Sequence, residues 1–211
     1  GCNVDEITPG SQKGIRRALG LDVSSPIVGY LGDIFWRDAV FLWKAFDSAL
    51  ERMPEARLLI IGDSQVNLKS IVSKPDVVIK TGRIPYTELS KYLAASDVCW
   101  LAMRDSIANR GRSPMKITDY MSAGRPVVTT DVGDMGTLVH EGGFGLVANA
   151  QPLDLAEKTM TLLRDPKIGV EMGRRARQVA ETEYSWSDIV KKLEDYYLRM
   201  IAVKKKESNG V

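Results

Sequence analysis

The chain has 211 residues, 44% of them hydrophobic, and its 29 basic and 27 acidic residues leave a net charge of only +2. That is enough apolar material for one packed domain, and so balanced a charge excludes a global field that would draw in nucleic acid. Two cysteines, Cys2 and Cys99, and a single histidine, His140, exclude a disulfide framework and a metal-ligand spacing, and the consistent expectation is a metal-free protein of a reducing compartment.

The first ten residues, GCNVDEITPG, lack the charged and apolar zones of a signal peptide, and no apolar run approaches the length of a membrane span. A cytoplasmic location is the expectation. Apolar runs bounded by Gly, Pro or Asp then recur at Pro26–Leu31, Leu58–Ile61, Val77–Lys80, Val98–Leu101, Val127–Thr130 and Gly145–Val147, and they read as strands buried on both faces. Helical patterns fall between and after them, at about Asp38–Arg52, Gln65–Val72, Tyr86–Ala95, Pro114–Ala123, Pro152–Leu163 and Lys167–Glu181, with a long last helix from about Ser187. This alternation predicts an α/β fold, a doubly wound parallel sheet of Rossmann-like type. It also predicts ligand binding at the carboxyl ends of the strands. His140 falls in an apparent turn and is given no chemistry.

The last helix carries Trp186, Ile189, Val190, Leu193, Tyr197 and Met200 at helical spacing, a stripe that serves either core packing or an interface. A domain over residues 1–203 is expected, followed by a frayed polar tail over 204–211. The run Lys204, Lys205 and Lys206 is either a solvated end or a contact with the anionic inner face of a membrane.

Residues 110–126, RGRSPMKITDYMSAGRP, hold the parts of a diphosphate site. Ser113 is expected to cap a helix, Pro114 to occupy its first position and Gly124 to end it. Lys116 in the first turn, with the free N–H groups at the helix start, would then form an anion site. Asp119 lies roughly 7.5 Å along the axis from Pro114, at a reach that suits a ribose. The plainer alternative is a common helix start with a solvated lysine. The first strand ends at Gly32 and Asp33, followed by Phe35, Trp36 and Arg37, so two loops are expected to bring cations to one crevice.

The order of motifs, from Asn3, Val4 and Asp5 through Gly29–Asp33, Leu58–Asp63, Gly82–Pro85 and Ser96–Val98 to Met121–Val128 and Ser185 with Trp186, resembles the carboxyl-terminal half of group-one glycosyltransferases of GT-B architecture. The resemblance implies a donor-binding domain for a nucleoside diphosphate sugar, separated from the amino-terminal acceptor domain, with retention at the anomeric carbon, no cofactor and no metal. The chain alone would then lack catalysis. Arg37 falls near the family's phosphate-binding lysine, and the implied role is to stabilise the leaving diphosphate together with Lys116. A surface arginine is its plain alternative. Arg83 and Ile84 match the loop that meets the nucleobase, or form an ordinary turn.

Asp119 takes the place of the second carboxylate of the family's paired-glutamate motif, while Gly111, within Asn109–Arg112, stands where the first is expected. Asp33 stands where many members have arginine and would repel a phosphate unless turned away or paired. Ser113, Pro114, Met115 and Lys116 resemble a branch that relies on the lysine. The expected ligand-binding set is therefore Gly32, Asp33, Arg83, Ile84, Asn109, Gly111, Ser113, Pro114, Met115 and Asp119, with Arg37 and Lys116 facing the reacting diphosphate. The acceptor expected is a glycan, a lipid-linked or a small molecule. A module that keeps the fold and binds a nucleotide sugar without transferring it is the alternative, and a sugar-nucleotide epimerase is a third that no acid or base pattern supports.

Overall fold

The computed structural model describes residues 1–34, 36–63, 66 and 73–208, with the backbone alone at Arg37 and at 205–208. A helix α1 (Gln12–Ala18) leads into a repeating pattern of strands and helices: β1 (Ile27–Leu31), α2 (Trp36–Leu50), β2 (Arg57–Ile61), β3 (Val78–Lys80), α3 (Leu89–Ala94) and β4 (Val98–Leu101). There follow α4 (Ile107–Arg110), α5 (Lys116–Ser122), β5 (Val127–Thr130), α6 (Asp134–Gly142), β6 (Gly145–Ala148), α7 (Pro152–Arg164), α8 (Pro166–Thr182) and α9 (Trp186–Ser208). The six strands form one sheet in the order β3-β2-β1-β4-β5-β6, with every neighbouring pair parallel. The order reverses between β1 and β4, and a crevice opens at such a reversal in doubly wound sheets.

The alternation of side chains along each strand divides the core. Val28, Tyr30, Leu58, Ile60, Val98, Trp100 and Val128 point to one face, where Phe46 of α2 and Leu155 and Met160 of α7 cover them. Ile27, Leu59, Ile61, Cys99, Leu101 and Val127 point to the other, under Leu93, Ile117, Tyr120, Met121, Val139 and Val179 of α3, α5, α6 and α8. Both faces are apolar because a parallel sheet is covered on both sides. Trp100 is fixed in this core by an edge-on contact with Phe46, with ring centroids 6.2 Å apart, and by donating its indole N–H to Thr159 at 2.7 Å.

At the crevice, β1 and β4 pair only through Val28 with Val98 and Gly29 with Cys99. Beyond that point the hydroxyl of buried Tyr120 stands between them, accepting from the Leu31 N–H at 2.9 Å and donating to the Trp100 carbonyl at 3.1 Å. The phenol satisfies backbone groups that a ladder would otherwise pair, and so parts the strands without leaving buried polar atoms open.

The structure differs from the sequence expectation at several elements. Helix α5 begins at Lys116 rather than Pro114; Met115 holds the N-cap position without a side-chain cap bond, and exposed Ser113 caps nothing. Pro114 and Met115 instead accept 3-10-type bonds from Ile117 at 3.3 Å and Thr118 at 2.9 Å. Gly124 does end α5 at φ +62°. Helices α1, α4 and α6 are additional to those read from the sequence, and His140 lies exposed in the last turn of α6, not in a turn between elements. The expected helix Gln65–Val72 lies, apart from Val66, outside the described residues. The last helix continues to Ser208, past the fraying expected from Val203. The start of the chain is tied beside the start of α9: Cys2 bridges Ser185, and the Trp186 N–H donates to the Cys2 carbonyl at 3.3 Å.

Candidate functional site

The carboxyl ends of β1 and β4 and the first turn of α5 meet at the crevice that Tyr120 holds open. Its lining includes Tyr30, Asp33, Asp38, Asn109, Arg112, Pro114 and Lys116, around a volume of about 40 Å³. That volume takes one polar group and not a nucleotide, so the rest of any ligand must run along the open edge.

Lys116 is the centre of the crevice. It sits on the same face of α5 as Tyr120, one turn earlier, and its ammonium Nζ lies 4.1 Å from the centroid of the Tyr30 ring. Gly32 beside it has φ +99°, a backbone conformation that side chains rarely adopt, and a Cβ there would only touch the ammonium at 3.4 Å. Among the described residues no carboxylate pairs with Lys116 and no acceptor hydrogen-bonds to it. Burial lowers its pKa to about 8, the charge of Arg112 adds to that, and Asp38 and Asp33 oppose it from a distance. An ammonium taken out of water with no partner is an arrangement that an added anion stabilises.

The loop from β4 to α5 sets the other cations. Asn109 is buried; its amide donates to the Arg104 carbonyl at 2.8 Å, and its Oδ1 accepts from Arg112 at 3.0 Å. It therefore holds Arg112 against the crevice while lining the crevice itself. Arg110 is taken up by a bidentate pair with Asp105 at 2.7 and 2.8 Å, and Arg104 contacts Asp38, in the first turn of α2, at 3.5 Å. Gly111 has open space where a side chain would stand. Asp33 is exposed, accepts from the Asp63 N–H at 3.4 Å and still lines the crevice. The backbone of Arg37 adjoins Asp38 in that first turn of α2, and its side chain lies outside the described residues.

Asp119 faces away from the crevice and along the sheet edge. Burial raises its carboxyl to about 6, and its oxygen Oδ1 accepts from the Tyr86 hydroxyl at 3.3 Å. Tyr86 opens the short 3-10 turn that follows the loop carrying Arg83 and Ile84. Arg83 is exposed there, while Ile84 is half-buried and packs on the core, so its side chain belongs to the fold and only its backbone faces the edge. Met115 is exposed beside the α5 start. Lys116, Asp119 and the Arg83 loop thus succeed one another along one edge.

Tyr30, Asp38, Tyr86, Arg112 and Tyr120 join the site without having been singled out in the sequence. Arg112 was visible as part of a basic run, but nothing in the run distinguishes it from Arg110. A larger cavity, about 380 Å³, opens at the opposite ends of the strands and is lined by Arg16, Asp97 and Arg125. There Arg16 is paired with Asp97 at 2.7 Å, and Arg125 donates to the carbonyls of Ala123, Ser96 and Gly10. Its size is not matched by free chemistry, and the site is placed at the crevice instead. Among the described residues no cluster of His, Cys, Asp or Glu could hold a metal ion, and no helix is long and apolar enough to cross a membrane.

A doubly wound parallel sheet with a cationic crevice at its switch point defines a Rossmann-like fold. The family model of the glycosyl transferases group 1 matches residues 25–165, and the chain belongs to that family. It is 26% identical to the D-inositol 3-phosphate glycosyltransferase of Corynebacterium urealyticum over 93% of its own length and 49% of that protein. The chain spans about half the length of the curated relatives it matches. Among solved structures it resembles the C-terminal domain of a glycosyl transferase group 1 family protein (LpcC) from Francisella tularensis, with TM-score 0.71, 16% identity, and coverage of 88% of this chain and all of that one. It also resembles Anabaena HepE in complex with UDP-glucose, with TM-score 0.74, 18% identity, and coverage of 94% of this chain and 56% of that one. The fold is that of the second domain of the GT-B architecture.

Proposed function

We propose that this domain binds the donor of a sugar transfer, a nucleoside diphosphate sugar, along the carboxyl edge of its sheet. The observation that carries the reading is Lys116, an unpaired ammonium drawn out of water at the point where the strand order reverses. The diphosphate lies against Lys116 and Arg112, the ribose against Asp119, and the base against the backbone at Arg83 and Ile84. Gly32 gives the phosphate close approach to the backbone, while Ser113, Pro114 and Met115 border it. Helix α5 has only seven residues, so the side-chain cations, more than the helix end, neutralise the diphosphate. As the bond to the sugar breaks, charge grows on the leaving diphosphate, and a preorganised ammonium and guanidinium lower the energy of that state. Arg37, in the first turn of α2, is proposed to reach the same charge. They take the role that a divalent ion has in other transferases.

With an amino-terminal acceptor domain opposite this edge, the reaction proposed is transfer to a glycan, lipid-linked or small-molecule acceptor with retention. The domain alone is proposed to bind without turning over, as the acceptor side is absent from it. HepE, solved with UDP-glucose, supports the ligand class. Lys116→Ala is expected to weaken nucleoside diphosphate binding at least about tenfold, or about 1.4 kcal/mol, by calorimetry. Unchanged affinity removes Lys116 from the site. Asp33 in the crevice and the bare Gly111 favour a second reading, a module that binds the nucleotide sugar without transferring it. Sugar release from the donor by the protein joined to its acceptor half decides between them.

A further inference from the structure

Resting on the donor-site reading above, we infer that Tyr86 is a second ribose-recognition residue, which acts with Asp119 to select ribonucleotides over deoxyribonucleotides. The hydroxyl of Tyr86 reaches Asp119 from a different element, brought back over the strand ends by the turn at Gly82, whose φ is +67°. Their separation of 3.3 Å is long for a hydroxyl on a carboxylate, where about 2.5–2.7 Å is usual. The pair is therefore adjacent without being closed. The Asp119 carboxylate accepts no other hydrogen bond among the described residues, so its second oxygen is left without a donor. Burial already disfavours its charge, and a donor from a ligand relieves that cost.

An aspartate alone offers only acceptors, whereas a phenol both donates and accepts. The vicinal hydroxyls of a ribose need two neighbouring acceptors at different heights above α5. One hydroxyl donates to the second oxygen of Asp119; the other donates to the Tyr86 oxygen while that phenol keeps its proton on the carboxylate. The tyrosine thus supplies the reach that a short acidic side chain lacks. Removal of one ribose hydroxyl leaves one of these groups unmatched, which is how a polar site rejects an analogue.

The test is calorimetry on the chain and its Tyr86→Phe variant, an exposed position where the fold is retained. The probes are inorganic pyrophosphate, the tightest of uridine, guanosine and adenosine diphosphates, and the 2′-deoxy form of that nucleotide. The expected result is a preference of about tenfold for the ribonucleotide in the parent chain, cut below about threefold by Tyr86→Phe, with pyrophosphate affinity unchanged. A preference that survives Tyr86→Phe overturns the inference, as does a parent chain that binds both nucleotides equally. A fall in pyrophosphate affinity alongside also overturns it, because Tyr86 would then act on the crevice. A parent chain that binds neither pyrophosphate nor any nucleoside diphosphate overturns the donor-site reading itself.

Discussion

Lys116 gives the site a dependence on pH with opposite signs in the free and bound protein. Its pKa is about 8 in the folded chain against an ordinary 10.5. Between those values the unfolded chain binds the extra proton, so the contribution of Lys116 to the stability of the free protein rises with pH across that window. A bound diphosphate requires the ammonium, so its affinity is level below about pH 8 and falls above it. Thermal shifts with and without pyrophosphate from pH 7 to 10 should therefore converge as pH rises; a constant gap would detach Lys116 from the ligand. That Lys116 and Asp119 share one helix was legible, because it follows from spacing alone. Ser113 does not cap the helix, because where the loop turns decides its place and it falls before the helix begins; the same turn directs Asn109 onto the Arg104 carbonyl. The same turn separates Arg112 from Arg110, which a run of like charges cannot do.

Strands and long helices were read almost whole because runs such as Leu58–Ile61 are apolar on both faces, a pattern that only a covered parallel sheet satisfies. Helix α6 was not, since Gly133, Gly136 and Gly142 give it the composition of a loop. Packing overrides that propensity: a Cβ on Gly136 would press on Asp131 at 2.6 Å. Nor could any pattern announce that Tyr120 would reach across to two strands. Its hydroxyl is the part of α5 that shapes the crevice, and Tyr120→Phe leaves the buried Leu31 N–H and Trp100 carbonyl without their partner. A loss of about 1–3 kcal/mol is expected from urea unfolding, with an unchanged slope. A loss near zero would mean that the strands close up and pair directly.

Helix α9 leaves an apolar stripe in solvent, with Trp186, Val190, Leu193, Tyr197 and Met200 each about half exposed. Neither core packing nor an isolated surface accounts for so long a stripe, and an exposed apolar patch marks an interaction face. The isolated chain is expected to self-associate, with a sedimentation-derived mass that rises with concentration; a strictly monomeric chain would argue that the stripe serves no contact. The crevice itself is different in kind, because a rigid aromatic side chain inside the molecule keeps its walls apart before any ligand arrives. On the reading proposed above, a ligand meets walls already braced by two hydrogen bonds, and its rate of encounter is expected to follow diffusion and the local cationic field.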